Sequence, residues 1–506
     1  MEAQPPVEEV LRCGILRRLV QLLATSTHCK LQFEACWAIT NIASTEHTGA
    51  VVEAGAVGPL VSGMISADPE LREQSIWCIG NIAGDSPKFR DMILTTPNAI
   101  AALMANIQQP HSITLLRNAT WTLSNFCRGK PSPTPEQVGA MVPALAYLLL
   151  QCPDRDVIQD AAWGLSYLTD GSTETVQTVL DAPGVAAKCV ALMGSTEATV
   201  VVPALRVIGN FISGSDKQTQ AACDAGALGA LVPLLSHPRR NIKREAAWAV
   251  SNVAAGTPTQ LAAVMAQEGL MPAVVGLLRR SETSDWNVRK EAAFVVSNVA
   301  ALGAAQHGAA LMEMGVVGPL TDLLNNTHDH KILSVVLDAV EAMLSMGARG
   351  GAGGAAVGSV VHSFEEAGLV DALEYMQGTA PDEVYKKCVR IIQTYYPAGE
   401  EGEEEEEAEV AAVGGQGGFM GLPSTTSTTS NSSIGGFGAA APTFGHAAFG
   451  GGMGAGALSS VSSHNVVAPM FGFGLPAAGA PIGAQASCAG SSVVPQHFSF
   501  AGMNFS

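Results

Sequence analysis

Hydrophobic positions recur every three or four residues along most of this chain, the spacing of one face of an α-helix. "EACWAITNIAS" (34–44) shows the pattern, with Ala, Ile and Trp at helical spacing and nothing to break the run. It places Trp37 and Asn41 four residues apart, on one face. A ring that is costly to leave in water thus shares a face with an amide that is costly to bury unpaired. The pairing recurs. "SIWCIGNIAGDS" starts at Ser75, "NATWTLSNFCRGK" at Asn118, "DAAWGLSYLTDGS" at Asp160 and "PALRVIGNFISGS" at Pro203. "EAAWAVSNVAAGT" starts at Glu245 and "EAAFVVSNVAALG" at Glu291.

The marker position runs Asn41, Asn81, Asn125, Tyr167, Asn210, Asn252, Asn298, in steps of roughly 40 to 46 residues, the period of HEAT and armadillo arrays. Between markers lies a Gly or Pro followed by an apolar helix, as in "AGAVGPLVSGM" (54–64) and "AGALGALVPLL" (225–235). Gly permits the tight turn into it. Each repeat therefore reads as short helix, helix, longer helix. One repeat cannot bury its apolar face alone, so neighbours stack into a solenoid. The expected fold is all-α: a right-handed superhelical solenoid of about nine armadillo-type repeats over 8–397, after a short lead at 1–7. The pattern weakens in "ILSVVLDAVEAMLSMG" (332–347), where Asp338 and Ala342 take the ring and marker positions. A Gly-rich loop is expected at 347–359, and the last helices at 364–397.

Composition then changes. Residues 398–410 form an acidic run, and 411–506 are Gly/Ala/Ser-rich with isolated Phe. Such a tail cannot bury enough surface to fold and reads as disordered. The net charge of −18 argues against direct nucleic-acid binding and for a basic partner. The ten Cys form no CxxC pair and no metal spacing with His, which suits reduced thiols of a cytosolic or nuclear protein. "MEAQPPVEEV" has no signal-peptide character, and no apolar run reaches membrane-spanning length, so no membrane partner is expected. No Gly-rich phosphate loop, HExxH or GxSxG is present, so neither catalysis nor a cofactor is expected.

One turn upstream of each ring the stripe extends to trios: Glu34-Trp37-Asn41, Gln74-Trp77-Asn81, Asn118-Trp121-Asn125, Asp160-Trp163-Tyr167, Pro203-Arg206-Asn210, Glu245-Trp248-Asn252 and Glu291-Phe294-Asn298. The opposite face carries core residues such as Ala247, Val250 and Ala254. A solenoid lines the trios up along its concave side. Each Asn amide, with donor and acceptor, can pair with the backbone of an extended peptide. The stem of a Lys or Arg can lie between two indoles, gaining burial and roughly 0.5 to 2 kcal/mol of cation–π attraction per site. Carboxylates at the slot mouths (Glu34, Asp85, Asp170, Glu245, Glu291) would hold the cationic heads. The expected ligand is a short, extended, Lys/Arg-rich peptide.

These lines resemble, in the same order, the armadillo domain of importin-alpha (karyopherin-alpha), the nuclear-import adaptor family. The Tyr of the fourth line and the Arg of the fifth fall in family order. The resemblance covers roughly 7–397. It implies binding of nuclear localisation signals of cargo proteins at two sites. The major site is similar to Trp37, Asn41, Trp77, Asn81, Asp85, Trp121, Asn125 and Arg128 here. The minor site is similar to Arg206, Asn210, Glu245, Trp248, Asn252, Glu291, Phe294 and Asn298, with Tyr167 and Asp170 between the two. Phe294 stands where the family has Trp, which implies a weaker outer slot. The loop after Asn41 is shorter than the family's.

The resemblance also implies shuttling between cytoplasm and nucleus, and an export receptor with Ran-GTP at the last repeat. The family's Lys/Arg-rich N-terminal segment, which binds importin-beta and folds back over the groove, has no counterpart before the first repeat here. One period before Asn41 falls off the chain. The preferred expectation is an incomplete gene model; the other is a form that cannot recruit importin-beta that way and lacks autoinhibition. Phe-Gly pairs at Phe437, Phe444, Phe449, Phe471 and Phe473 resemble nuclear-pore FG segments and suggest pore contacts, with compositional drift as the plainer reading. The alternatives to an import adaptor are an armadillo scaffold or an importin-beta-independent binder of localisation signals. Catenin-type scaffolds use a basic groove, whereas this one would carry carboxylates and Trp.

Overall fold

The computed structural model describes residues 7–280, 285–349 and 355–397. Those residues form 26 α-helices in an all-α solenoid, with no strand among them. The first three repeats are α1 (Val7–Arg12), α2 (Leu16–Thr25), α3 (Cys29–Ala43); α4 (Thr48–Glu53), α5 (Val57–Gly63), α6 (Pro69–Asp85); and α7 (Pro87–Thr95), α8 (Ala99–Gln108), α9 (Ile113–Cys127). The fourth has two helices, α10 (Pro135–Gln151) and α11 (Arg155–Thr169). The next three are α12 (Thr173–Leu180), α13 (Val185–Met193), α14 (Ala198–Ile212); α15 (Asp216–Asp224), α16 (Ala227–Leu235), α17 (Arg240–Ala254); and α18 (Pro258–Ala266), α19 (Leu270–Leu278), α20 (Trp286–Leu302). The last two are α21 (Ala305–Glu313), α22 (Val317–Asn326), α23 (His330–Arg349); and α24 (Ala355–Glu366), α25 (Leu369–Thr379), α26 (Asp382–Tyr395).

The turn between first and second helices is made by glycine in the left-handed region: Gly55 (φ 83°), Gly226 (φ 91°), Gly269 (φ 74°) and Gly315 (φ 74°). Several helices begin at side-chain caps. Thr134 with Gln137, Ser215 with Gln218 and Thr257 with Gln260 form reciprocal capping boxes. Two of these glutamines also join repeats. Gln218 Nε2 donates to Thr173 O at 3.1 Å, and Gln260 Nε2 to Asp216 O at 2.8 Å. One hydrophobic cluster runs through the solenoid from Leu16 to Ile391. Ala247, Val250 and Ala254 are fully buried in it. The third helices pack side by side in chain order, α3 on α6, α6 on α9, and onward to α23 on α26.

Two expectations change. The three-helix reading fails in the fourth repeat, where α10 is one helix that continues through Pro143. No glycine in the left-handed region interrupts that stretch, so nothing breaks the chain between first and second helices. Of the Gly-rich loop expected at 347–359, residues 347–349 and 355–359 are helical, in α23 and α24, and 350–354 lie outside the described residues. Alanine and valine adjoin those glycines and sustain the helices, while a glycine costs only ~1 kcal/mol in a helix. Residues 1–6, the acidic run at 398–410 and the FG tail at 411–506 lie outside the described residues. Among the described residues no single helix is long and apolar enough to cross a membrane.

Candidate peptide-binding ladder

The rings sit at graded depth. Trp37 is 47% exposed, whereas Trp77, Trp121, Trp163, Trp248 and Phe294 are half-buried. Each indole needs a seat on the preceding third helix, and two seats are glycines. A Cβ on Gly80 would lie 2.3 Å from Trp121 Cζ3, and one on Gly209 2.7 Å from Trp248 Cζ3. Both glycines immediately precede a marker. The same position is Thr40, Ser124, Ser166, Ser251 and Ser297 elsewhere, always small. Ser124, Ser166 and Ser251 turn their hydroxyls inward, donating at 2.8 Å to the carbonyls of Trp121, Trp163 and Trp248. Sequence reasoning missed these seats, although the run of small residues before the markers was their signal. Between the two tracks Tyr167 stacks on Trp163, with centroids 5.7 Å apart and planes at 25°.

The amides serve the protein as well as any ligand. Asn125 Nδ2 donates to Gly80 O at 3.1 Å, and Asn298 Nδ2 to Ser251 O at 2.9 Å. Asn210 Nδ2 donates to Ser166 O at 3.2 Å and to Thr169 Oγ1 at 3.0 Å. In each case the amide ties its helix to the residue before the preceding marker. Asn125 and Asn298 commit one N–H bond each in this way, and Asn210 two. Asn81 and Asn252 differ, since their Nδ2 atoms are buried with no hydrogen-bond partner. Such a donor costs about 1–3 kcal/mol until something accepts from it. Asn41, at the first rung, is exposed.

The carboxylates depart from the expected slot mouths. Glu34, Asp85 and Asp170 are exposed, with Asp170 3.5 Å from the exposed Lys130. Glu245 is nearly buried and already paired with Arg206 at 2.6 Å. Three upstream trio members, Gln74, Asn118 and Glu245, find partners across the seam between third helices. Gln74 Nε2 donates to Thr40 Oγ1 at 2.8 Å, and Asn118 Nδ2 to Glu73 Oε1 at 3.3 Å. Asp160 and Glu291 are pushed up to about 7 each: Asp160 by burial and then the Asp156 charge, and Glu291 by burial, which Lys290 and Arg244 partly oppose.

Arg128 caps α9 and is exposed. Its loop is held by Arg90, a fully buried side chain that the sequence did not single out. Arg90 Nη1 donates to Arg128 O at 2.6 Å and Gly129 O at 3.1 Å, and Nη2 to Pro131 O at 2.6 Å. The turn after Asn41 closes on itself, with Thr48 Oγ1 donating to Ala43 O at 3.0 Å and Thr45 O at 2.9 Å.

The repeat family described as armadillo/beta-catenin-like repeat matches residues 3–44, 44–84 and 215–255. An atypical Arm repeat matches 359–410. Importin subunit alpha-1a of Oryza sativa subsp. japonica is 41% identical over 407 residues, 79% of this chain and 76% of that one. Importin subunit alpha-1b of the same plant is 38% identical over 405 residues, covering 79% and 74%. Importin subunit alpha-3 of Arabidopsis thaliana is 38% identical over 406 residues, covering 79% and 75%. The crystal structure of an engineered protein superposes with a TM-score of 0.67 at 28% identity, covering 76% of this chain and 90% of that one. This chain belongs to the importin-alpha family of armadillo-repeat proteins.

Proposed function

We propose that the third-helix ladder binds an extended Lys/Arg-rich peptide, and that the chain thereby carries proteins bearing such nuclear localisation signals into the nucleus. The observation that carries this reading is the pair of buried, unpartnered Nδ2 atoms on Asn81 and Asn252. They stand at equivalent rungs of two tracks beside half-buried indoles, and peptide carbonyls would complete them. The first track is Trp37, Asn41, Trp77, Asn81, Asp85, Trp121 and Asn125, ending at Arg128. The second is Arg206, Asn210, Glu245, Trp248, Asn252, Glu291, Phe294 and Asn298. Indoles take the aliphatic stems, amides take the peptide backbone, and the exposed Asp85 takes a cationic head. The second track has less charge to offer, because Glu245 is spent on Arg206. Family membership extends the proposal to importin-beta, to an export receptor with Ran-GTP at the last repeat, and to shuttling between cytoplasm and nucleus.

The test is fluorescence anisotropy of a labelled Lys/Arg-rich localisation peptide with the full chain at two salt concentrations. Micromolar or tighter binding is expected, weakened by salt and abolished by the double change Trp77→Ala, Asn81→Ala. Absence of binding at either salt would reduce the family name to a statement of ancestry.

A further inference from the structure

Arg90 of α7 reaches forward along the solenoid, whereas Gln218 of α15 and Gln260 of α18 reach back to the preceding repeat. The loop it holds, after α9, is longer than others of its kind. Ser86, Ser172, Ser215 and Thr257 stand at the N-cap of the next helix five residues after a marker, whereas Thr134 stands nine residues after Asn125. Residues 128–131 of that loop are all exposed, and the fully buried Arg90 donates to the carbonyls of Arg128, Gly129 and Pro131. Asp91 Oδ1 accepts from Arg90 Nε at 2.8 Å and Nη2 at 2.6 Å, so all five N–H groups of the guanidinium are used. The loop lies at the junction of the tracks. It leaves α9 where the first track ends and leans on the end of α11, the helix between α9 and the first helix of the second track, α14. Lys130 Nζ is 3.5 Å from Asp170 Oδ2, and Ser132 Oγ is 3.5 Å from where a Gly171 Cβ would stand.

We propose that Arg90 is a positioning residue that couples the two tracks, by holding the junction loop so that one peptide engages both at once. The inference rests on the ladder reading above and deepens it. A peptide with two basic clusters must pass the junction, whereas a peptide with one cluster occupies a single track. A slack loop would swing two exposed cations, Arg128 and Lys130, into that path. They would repel a cationic peptide, and ordering the loop on binding would cost conformational entropy. The Arg90 clamp orders the loop in the free chain instead, and the second cluster then binds intramolecularly at high effective concentration. Lysine cannot take over the role, because an ammonium offers three donors on a flexible stem in place of five in a planar fork.

The experiment uses the full chain and fluorescence anisotropy of labelled Lys/Arg-rich peptides with one or two clusters. Arg90→Lys is expected to weaken the two-cluster peptide about tenfold, by lowering the effective concentration of its second cluster, and the one-cluster peptide less than about threefold. Two glycines inserted between Gly129 and Lys130 slacken the exposed loop with α7 untouched, and should give the same split. The insertion decides the matter if Arg90→Lys does not fold. Loss by one factor for both peptides, or no change in either, overturns the coupling role. If neither peptide binds the unaltered chain, the ladder reading falls and the inference with it.

Discussion

At Gly80 a single methyl group would meet the Trp121 ring at 2.3 Å. Gly80→Ala should therefore displace the indole, cost about 1–3 kcal/mol of stability, and weaken peptide binding. Urea denaturation followed by tryptophan fluorescence reads both the loss and the moved ring. The seam carboxyls make a second prediction at this scale. Asp160 and Glu291 hold protons up to about 7 in the folded chain, against ordinary values of 3.8 and 4.5. Between those values the folded state binds more protons than the unfolded one, so stability falls as pH rises toward 7 and then levels. Asp160→Asn with Glu291→Gln should flatten that decline, measured as urea midpoints at about pH 5 and about pH 8. The trios were legible because ring and marker recur at fixed spacing. The burial of Asp160 and the Arg206–Glu245 pair were not, because seam depth depends on how neighbouring helices approach. Arg90 was equally hidden, since besides the adjacent Asp91 its partners are backbone carbonyls some 38 to 41 residues away.

Helix boundaries follow from local chemistry wherever that chemistry is strong. Asp68 before Pro69 accepts from Glu70 N and Leu71 N and starts α6, and glycine at positive φ starts α16 and α19. Gly226→Ala would force a Cβ into the left-handed region at a cost of about 1–2 kcal/mol. Gly276 lies inside α19 with open space where its Cβ would be. Gly276→Ala should stabilise by about 0.5–1 kcal/mol. Thermal melts of the two variants, shifted in opposite directions, would separate the turn role from mere glycine content. The fourth repeat shows the limit of such reading, since three helices were expected there and α10 runs unbroken through Pro143. Packing of one apolar face over its whole length outweighed the lost hydrogen bond.

Across the whole molecule each repeat leans on its neighbours, so protection should grade from end to middle. α1 buries none of its residues, whereas α14 buries most of them. Hydrogen exchange should therefore be orders of magnitude faster in α1 than in α14. The charge of −18 acts at this scale too. It should steer cationic peptides to the chain, so the association rate should drop severalfold between low and high salt, as stopped-flow mixing would record. A rate indifferent to salt would argue that local slots alone attract the ligand.

The sequence alone determined the helical period, the repeat length, the positions of rings and markers, and the acid excess, because each is a property of spacing or composition. Only the tertiary structure decided which polar groups remain free. Asn125 and Asn298 bond to the preceding helix while Asn81 and Asn252 keep unpartnered donors, although the four share one sequence pattern. The tertiary structure likewise spent Glu245 on Arg206 and Asp338 on Lys387, and tied Ser297 to Val335 across the last seam. The physical reason is that hydrogen bonds and ion pairs form over a few ångströms, between residues that the chain separates by a full repeat.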